Sequence, residues 1–197
     1  MVDRLVRLAH GIGVERALGV DEDTALVCSG QWQCRVAGSA GVWLLDMSQL
    51  NNGGQHCHLY GDNYCTFNNV ITSYVTKDDL ISLDSWTVEF ADWKQRVIED
   101  DNLAASESED IFGTETKGEF GRVANSLLLS EDVVTRARTL EQTPVQYEIV
   151  FRKQSEILDG VETVAVQDED GVISYRDLAL DFVPIDILLG QTANNTR

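Results

Sequence analysis

The stretch Leu18–Ser29 reads LGVDEDTALVCS and places three consecutive carboxylates between two apolar runs. Like charges repel at such a junction, so their surroundings decide what they do. One interpretation is a solvated strand-entry turn, in which Asp21 or Asp23 bonds to nearby backbone amides. A calcium cradle is a second, although the ligand spacing of an EF-hand loop is missing. A catalytic role for Glu22 is the third, and residue chemistry alone favours the turn.

Composition narrows the class of protein around this stretch. The chain has 197 residues, which is enough for one sizeable domain or for one domain with a tail. Its formal net charge of −18 argues against a nucleic-acid surface and favours a cationic partner, if it favours any. No apolar run approaches the roughly 20 residues of a membrane span, and the N-terminus does not read as a secretory signal.

Periodicity predicts one N-terminal helix followed by a largely β body. Apolar spacing over residues 2–10 predicts an amphipathic helix that ends before Gly11. Residues 130–140 predict a second, short helix, with Ser130 as its cap and Pro144 beyond its end. Alternating or apolar runs predict β segments at 24–28, 33–37, 41–46, 70–75, 86–90, 147–152, 161–166, 172–175 and 178–183.

Two segments lack these patterns. Residues 51–69 are rich in Asn and Gly and predict a long loop. Residues 99–120 are acidic and poor in large apolar side chains, which is typical of a mobile insertion. Either segment could be a substrate lid, a surface that binds a partner, or a connection without a function.

The four cysteines predict two local disulfides. Cys28 and Cys34 flank one turn-like segment, and Cys57 and Cys65 flank another. Both bridges together would place the protein in an oxidising, secreted setting. Free, buried thiols are an equally open interpretation, and the compartment is otherwise not indicated.

Two further motifs carry little chemistry. His56-Cys57-His58 with Cys65 offers zinc-type ligands, but adjacent side chains on an extended chain diverge, so we expect no metal site there. Gly38-Ser39-Ala40-Gly41 looks like part of a nucleophile elbow, but an apolar, β-like run follows it instead of a helix. A tight turn between strands is the better interpretation of Ser39.

The segment around the acidic triplet resembles a peptidase family. Arg4–Leu8 reads RLVRL, Gly11–Gly13 reads GIG, and Leu18–Val27 reads LGVDEDTALV. These motifs resemble the R-L-x-R-L and G-I/V-D-E-D/N-T-A-L/I segments of the cyanophycinase and dipeptidase E group of serine peptidases. Residues 35–46 are similar to the hairpin that follows in that family, and residues 172–178 resemble its closing strand more loosely.

The resemblance implies a fold and a set of roles. The family has an α/β, class I glutamine amidotransferase-like fold and cleaves peptides next to aspartate, including the aspartate–arginine polymer cyanophycin. By resemblance Glu22 is the acid of a serine–histidine–acid triad. Arg4 and Arg7 match arginines that line the substrate pocket, where they would clamp carboxylates bidentately. No cofactor is implied.

The sequence departs from the family in one major respect. The family's serine elbow and its D-Q-H-F-like histidine motif should both precede Arg4, and neither is in this sequence. We therefore expect a truncated, largely β C-terminal portion, with residues 1–50 as a partial α/β peptidase-like domain and 51–197 as a β-rich region. Such a portion should be inactive alone and act on peptides only when completed. The alternative is a non-catalytic, acidic, secreted binding module; either form could be a homo-oligomer.

Overall fold

The fold is mostly antiparallel β-structure. The computed structural model of the chain describes residues 2–50, 66–112, 118–140 and 146–185, apart from the side chains of residues 2–4 and 7. Two sheets are present in this part, one of eight strands and one of four. In chain order the elements are α1 Val2–Ile12, β1 Arg16–Val20, β2 Thr24–Cys28, β3 Gln33–Gly38, β4 Val42–Asp46, β5 Phe67–Val75, β6 Leu80–Ser82, β7 Thr87–Glu89, β8 Gln95–Arg96, α2 Glu119–Leu129, β9 Val134–Arg138, β10 Tyr147–Lys153, α3 Glu156–Asp159, β11 Val164–Gln167 and β12 Ile173–Pro184.

The chain divides into two compact units. The first unit comprises Met1–Ser48, Ile71–Ile98 and Gln154–Leu178. The second comprises Gln49–Val70, Glu99–Lys153 and Ala179–Arg197. Residues 1–48, which contain the acidic triplet, therefore share a unit with two later segments.

In the first unit, one sheet has the order β2-β3-β6-β7 and the other contains β1-β4-β5, with β12, β11 and β8 following. Residues 21–23, 39–41 and 76–79 each lead the chain from one sheet to the other, and we call these three connections the sheet corners. A left-handed residue lies at or beside each corner: Asp23 at φ 56°, Gly38 at φ 133° and Asp78 at φ 68°. Glycine and aspartate are among the residues that adopt positive φ most readily, so the sequence suits these bends.

The core of the first unit lies between the inner faces of these strands. Val36 and Ile81 come from the four-stranded sheet, whereas Val42, Leu44 and Val75 come from the other, and all are at most 2% exposed. Strand β3 shows the expected alternation over its first four residues, since Cys34 and Val36 are buried whereas Gln33 and Arg35 are exposed. Burying side chains of this size stabilises a fold by about 1.5–3 kcal/mol each.

A buried ion pair joins the third corner to the rest of the first unit. Lys94 Nζ lies 2.8 Å from Asp79 Oδ2, and both side chains are fully buried. The ammonium also donates to Thr76 Oγ1 at 2.7 Å and to Ser174 Oγ at 3.0 Å, so it has three acceptors. The carboxylate accepts the backbone N–H groups of Thr76 at 2.9 Å and Ala91 at 3.0 Å. Every charged atom of the pair therefore has a partner, as burial of charge requires.

The second unit is organised around α2. Its buried side chains share one face of the helix: Phe120, Val123, Ala124, Leu127 and Leu128. Strands β12, β10 and β9 are neighbours in that order, and the Phe120 ring lies 4.9 Å from the Phe151 ring of β10. An amphipathic helix packed on a sheet is what this apolar spacing favours.

The helix predicted at residues 130–140 is wrong. The helix α2 ends at Leu129, Ser130 follows as its C-cap, and β9 begins at Val134. Thr135 and Ala137 are buried between exposed neighbours, which is the period of a strand, and β9 pairs with β10. Charges placed favourably for a helix were outweighed by this pairing. The helix α2 was not predicted, although the apolar spacing of 120–128 is typical of a helix. The acidic composition of 99–120 led us to expect a mobile insertion up to residue 120.

Other sequence predictions have mixed outcomes. The N-terminal helix and the β segments at 24–28, 33–37 and 41–46 are confirmed within a residue or two. The two strands predicted at 172–183 form the single strand β12. The mobile insertion expected from residue 99 is partly wrong, because Ser108 bridges Ala137 and Ile111 is 2% exposed. Most of the predicted loop 51–69 lies outside the described residues, and 67–69 belong to β5.

No helix in the described ranges has both the length and the apolar character needed to span a membrane.

Removing the buried cation should destabilise the protein strongly. Lys94→Met leaves the Asp79 carboxylate buried without its countercharge, and we expect the free energy of unfolding to fall by about 3–5 kcal/mol in urea denaturation. The matched control is Lys77→Met at an exposed lysine, which should change stability by about 0.5 kcal/mol or less. Equal effects of the two substitutions would contradict a structural role for the pair.

Asp177 should make stability depend on pH. It lies within β12 with φ 62°, and burial raises the pKa of its carboxyl above the ordinary value, an effect that Arg176 partly offsets. The ionised form of Asp177 is thus disfavoured in the folded state. Its contribution to stability is fully present below the pKa of the unfolded chain, about 3.9, and is lost as pH rises through the pKa of the folded state. We expect Asp177→Asn to raise the melting temperature at pH 7. The decrease in melting temperature between acidic and neutral pH should be smaller in this variant than in the unchanged protein. Asp92→Asn, at an exposed aspartate, should do neither.

Candidate functional site

The acidic triplet forms the first sheet corner, between β1 and β2. The backbone N–H of Asp21 donates to Gly41 O at 3.0 Å, and the N–H of Ser39 donates to Asp23 O at 3.2 Å. The residue at φ 56° is Asp23, a residue type that tolerates the left-handed region. The first and second corners therefore hold each other in register.

Thr24 fixes the same turn from its other end. Its hydroxyl donates to Glu22 O at 3.3 Å and accepts the N–H of Ala40 at 3.2 Å. The side chain of Glu22 is exposed, and its carboxylate bonds to no group in the part of the chain that the structure describes. The backbone of Glu22 is thus held while its carboxylate is left available.

The carboxylate of Asp21, unlike that of Glu22, is hydrogen-bonded within the described part of the chain. The Tyr74 hydroxyl donates to Asp21 Oδ2 at 3.0 Å. Burial, together with the charge and the hydrogen bond of Asp21, raises the pKa of Tyr74 above its usual range. Tyr74 therefore stays protonated as a donor at neutral pH, and Asp21 is committed to this bond. The Tyr74 ring also packs against Trp43 with ring centroids 4.4 Å apart, within the range that aromatic pairs prefer.

Two glycines make the close approach of the corners possible. A Cβ on Gly41 would overlap the Tyr74 ring, and one on Gly38 would overlap the backbone of Asp23 and Thr24. Gly38 also has φ 133°, a conformation that side chains rarely adopt. The glycines quoted as part of a possible nucleophile elbow therefore serve the corner. Ser39 lies between two strands, and β4 follows it instead of a helix.

The structure does not bring all predicted site residues into view. Arg4 and Arg7 lie on α1, but their side chains are outside the described part, so their roles stay predictions. Cys28 and Cys34 are joined by a disulfide and face each other across β2 and β3, which confirms that predicted pairing. Cys57 and Cys65, with the His-Cys-His motif between 56 and 58, lie outside the described residues.

Metal chemistry finds no support at the acidic turn. Within the described ranges, no group of three or more His, Cys, Asp or Glu side chains is arranged to hold a metal ion. Of the three carboxylates, Asp21 accepts the Tyr74 hydroxyl, whereas those of Glu22 and Asp23 are exposed and have no bond to a described residue.

Sequence reasoning missed the partners of the triplet. Tyr74 lies 53 residues from Asp21, and no local pattern reports so distant a contact. Trp43 was assigned only to a strand, and Gly41 to a strand and to the tight turn before it. A tyrosine within the predicted strand 70–75 was visible, but the strand pairing that brings it to Gly41 was not.

Comparisons with protein-family models, with curated proteins and with solved structures find no match for this chain.

Adding one methyl group at Gly41 should disturb the turn. In Gly41→Ala the new Cβ meets the Tyr74 ring, so the ring or the strand must shift, and we expect a loss of about 1–3 kcal/mol in the free energy of unfolding. The matched control is Gly30→Ala, where the added Cβ meets open space. A Gly41→Ala protein as stable as the Gly30→Ala protein would show that the corner tolerates the displacement.

Proposed function

We propose that this chain is the C-terminal portion of a cyanophycinase-like serine hydrolase and that Glu22 is the acid of its catalytic triad. The proposal includes the family's α/β, class I glutamine amidotransferase-like fold for the complete protein. Its sequence support is the run of motifs from Arg4 to Asp46. The substrate class that follows is an aspartate-containing peptide, such as the aspartate–arginine polymer.

One observation carries the proposal: Glu22 is an exposed, uncommitted carboxylate on a fixed backbone. Its own carbonyl and both its neighbours take part in the hydrogen bonds of the corner. A triad acid must be held in place without being neutralised by another partner, because it orients the histidine and stabilises its charged form. The corner holds the backbone of Glu22, and its carboxylate bonds to no other group in the described part of the chain.

The chemistry assigns distinct roles to the chain's residues. In the complete hydrolase, Glu22 accepts a hydrogen bond from the catalytic histidine, which takes the proton of the nucleophilic serine. Arg4 and Arg7 bind the carboxylates of the peptide substrate as forked donors. The histidine and the serine come from a portion with the family's motifs, which this sequence does not contain.

The test joins this chain to that portion. The nucleotide sequence upstream of Met1 is read for G-x-S-A-G and D-Q-H motifs, and the joined protein is assayed on a β-aspartyl-arginine dipeptide. We expect hydrolysis, and we expect Glu22→Gln to lower kcat by about 10³–10⁴-fold, as loss of a triad acid does. Asp23→Asn is the matched control, because it removes the same charge one residue away and should leave kcat within a few-fold.

Two results would contradict this proposal. One is an upstream sequence without either motif. The other is hydrolysis by the 197-residue chain alone that Ser39→Ala abolishes, since it would place the nucleophile within this chain.

The second candidate is a non-catalytic binding module, and the closure of the first unit's core favours it. The five central side chains of that core are at most 2% exposed in this chain. A severed half-domain should instead expose an apolar face and bind hydrophobic dyes. Cooperative unfolding of the isolated chain with little dye binding supports the module; strong dye binding supports the hydrolase portion.

A further inference from the structure

A groove in the first unit is lined by two tryptophans and two opposite charges. Its volume is about 410 Å³, and its lining residues are Arg16, Ala17, Leu18, Trp32, Leu83, Asp84 and Trp86. Small-molecule sites in proteins typically measure about 300–1,000 Å³ and combine aromatic walls with a few polar groups. We call this feature the tryptophan groove. It does not include Glu22.

Trp32 is presented at the tip of the β2–β3 hairpin. Its side chain is 65% exposed, although a tryptophan is expected to be largely buried. The disulfide between Cys28 and Cys34 closes the hairpin beneath it. The N–H of Leu83 donates to Trp32 O at 2.9 Å, which ties this tip to the opposite hairpin. The exposed ring of Trp32 therefore projects from a hairpin whose backbone is held by a disulfide and a hydrogen bond.

Trp86 forms the other wall, on the β6–β7 hairpin. The Cζ atom of Arg16 lies 5.5 Å from the centre of its ring, a cation–π contact. Arg16 Nε bonds to Asp46 Oδ2 at 3.2 Å, so the guanidinium is held from a second side. Arg16 also lines the groove, and its guanidinium carries N–H donors on all three nitrogens. Both tryptophans have positive φ, 59° at Trp32 and 57° at Trp86, which is uncommon for a bulky residue.

The charges of the groove select its ligand. A cation is disfavoured, because the guanidinium of Arg16 already covers Trp86 and would repel it. An anion is disfavoured by Asp84 and by the net charge of −18. A neutral ligand that offers hydroxyl donors to Asp84, hydroxyl acceptors to Arg16 and a flat C–H face to Trp32 fits all three groups. A pyranose sugar has this chemistry.

We propose that the tryptophan groove binds a neutral oligosaccharide, with one ring stacked on Trp32 and its hydroxyls bonded to Arg16 and Asp84. This site goes beyond the proposed hydrolase and does not depend on it. A proline-rich peptide also docks on aromatic side chains, but it needs an extended aromatic channel. This groove is short, and a guanidinium covers one of its two rings.

The experiment measures tryptophan fluorescence and calorimetric binding of the chain with cellohexaose, chitohexaose, mannohexaose and maltohexaose, and with decaproline. We expect saturable binding of at least one hexaose and none of decaproline. Trp32→Ala should weaken binding at least tenfold, because stacking is lost. Trp93→Ala is the matched control: Trp93 is 46% exposed but does not line the groove, so its affinity should be unchanged.

A second variant separates ligand binding from folding of the hairpin. Asp84→Asn leaves both rings in place and should weaken binding several-fold, with an unchanged melting temperature. The proposal is overturned if none of the four hexaoses binds, if decaproline binds in their place, or if Trp32→Ala and Trp93→Ala weaken binding equally. None of these outcomes bears on Glu22, so the hydrolase is tested separately.

Discussion

The ion pair between Lys94 and Asp79 is the constraint on which the first unit depends. The backbone of the third corner bonds twice to Val36 of β3, through Asp78 N–H at 2.9 Å and Asp79 O at 3.0 Å. The Asp79 carboxylate holds the N–H groups of Thr76 and Ala91, and Lys94 extends the network to Ser174 of β12. Desolvating two charges costs several kcal/mol for each, so this pair is tolerated only because its geometry satisfies every donor and acceptor. One carboxylate thus ties together segments from both sheets.

The position of the acidic triplet follows from the same constraint. Tyr74 lies two residues before Thr76 on β5, so the third corner fixes where the Tyr74 ring lies. That ring covers Gly41 and holds Asp21, and Gly41 in turn accepts the N–H of Asp21. The backbone of Glu22 is therefore placed by contacts that begin at a buried lysine far along the chain. A carboxylate on a loose loop would sample many directions, whereas this one starts from a fixed backbone.

Local features of the fold could be predicted from the sequence, and distant pairings could not. The strands near 24–28, 33–37 and 41–46 are short runs between Gly and Ser, and the disulfide between Cys28 and Cys34 joins residues that a hairpin brings together. The strand β9 was missed because charges near Ser130 favoured a helix there, while pairing with β10 required a strand. The helix α2 was missed because it begins at the end of an acidic segment that is poor in large apolar side chains. Neither the Lys94 network nor the bond from Tyr74 to Asp21 has a local signature, because each depends on strand register. The resemblance to the peptidase family singled out Glu22 in the sequence. That its carboxylate is exposed and unbonded among the described residues could be seen only in the structure, together with the hydrogen bonds of its neighbours.

The three adjacent carboxylates are compatible because each has different surroundings. Asp21 is bonded to the half-buried Tyr74, and Asp23 supplies the left-handed residue of the turn. Both tasks serve the corner, and both explain an aspartate without reference to function. The Glu22 side chain does neither of these tasks. Its backbone carbonyl accepts the Thr24 hydroxyl, but any residue at this position would supply that carbonyl, and its side chain is exposed to solvent. For a turn alone, a small or neutral residue at position 22 would relieve the repulsion from its two neighbours. The backbone bonds of the turn give no reason for a third negative charge at this position, and the proposed triad role for Glu22 would supply one.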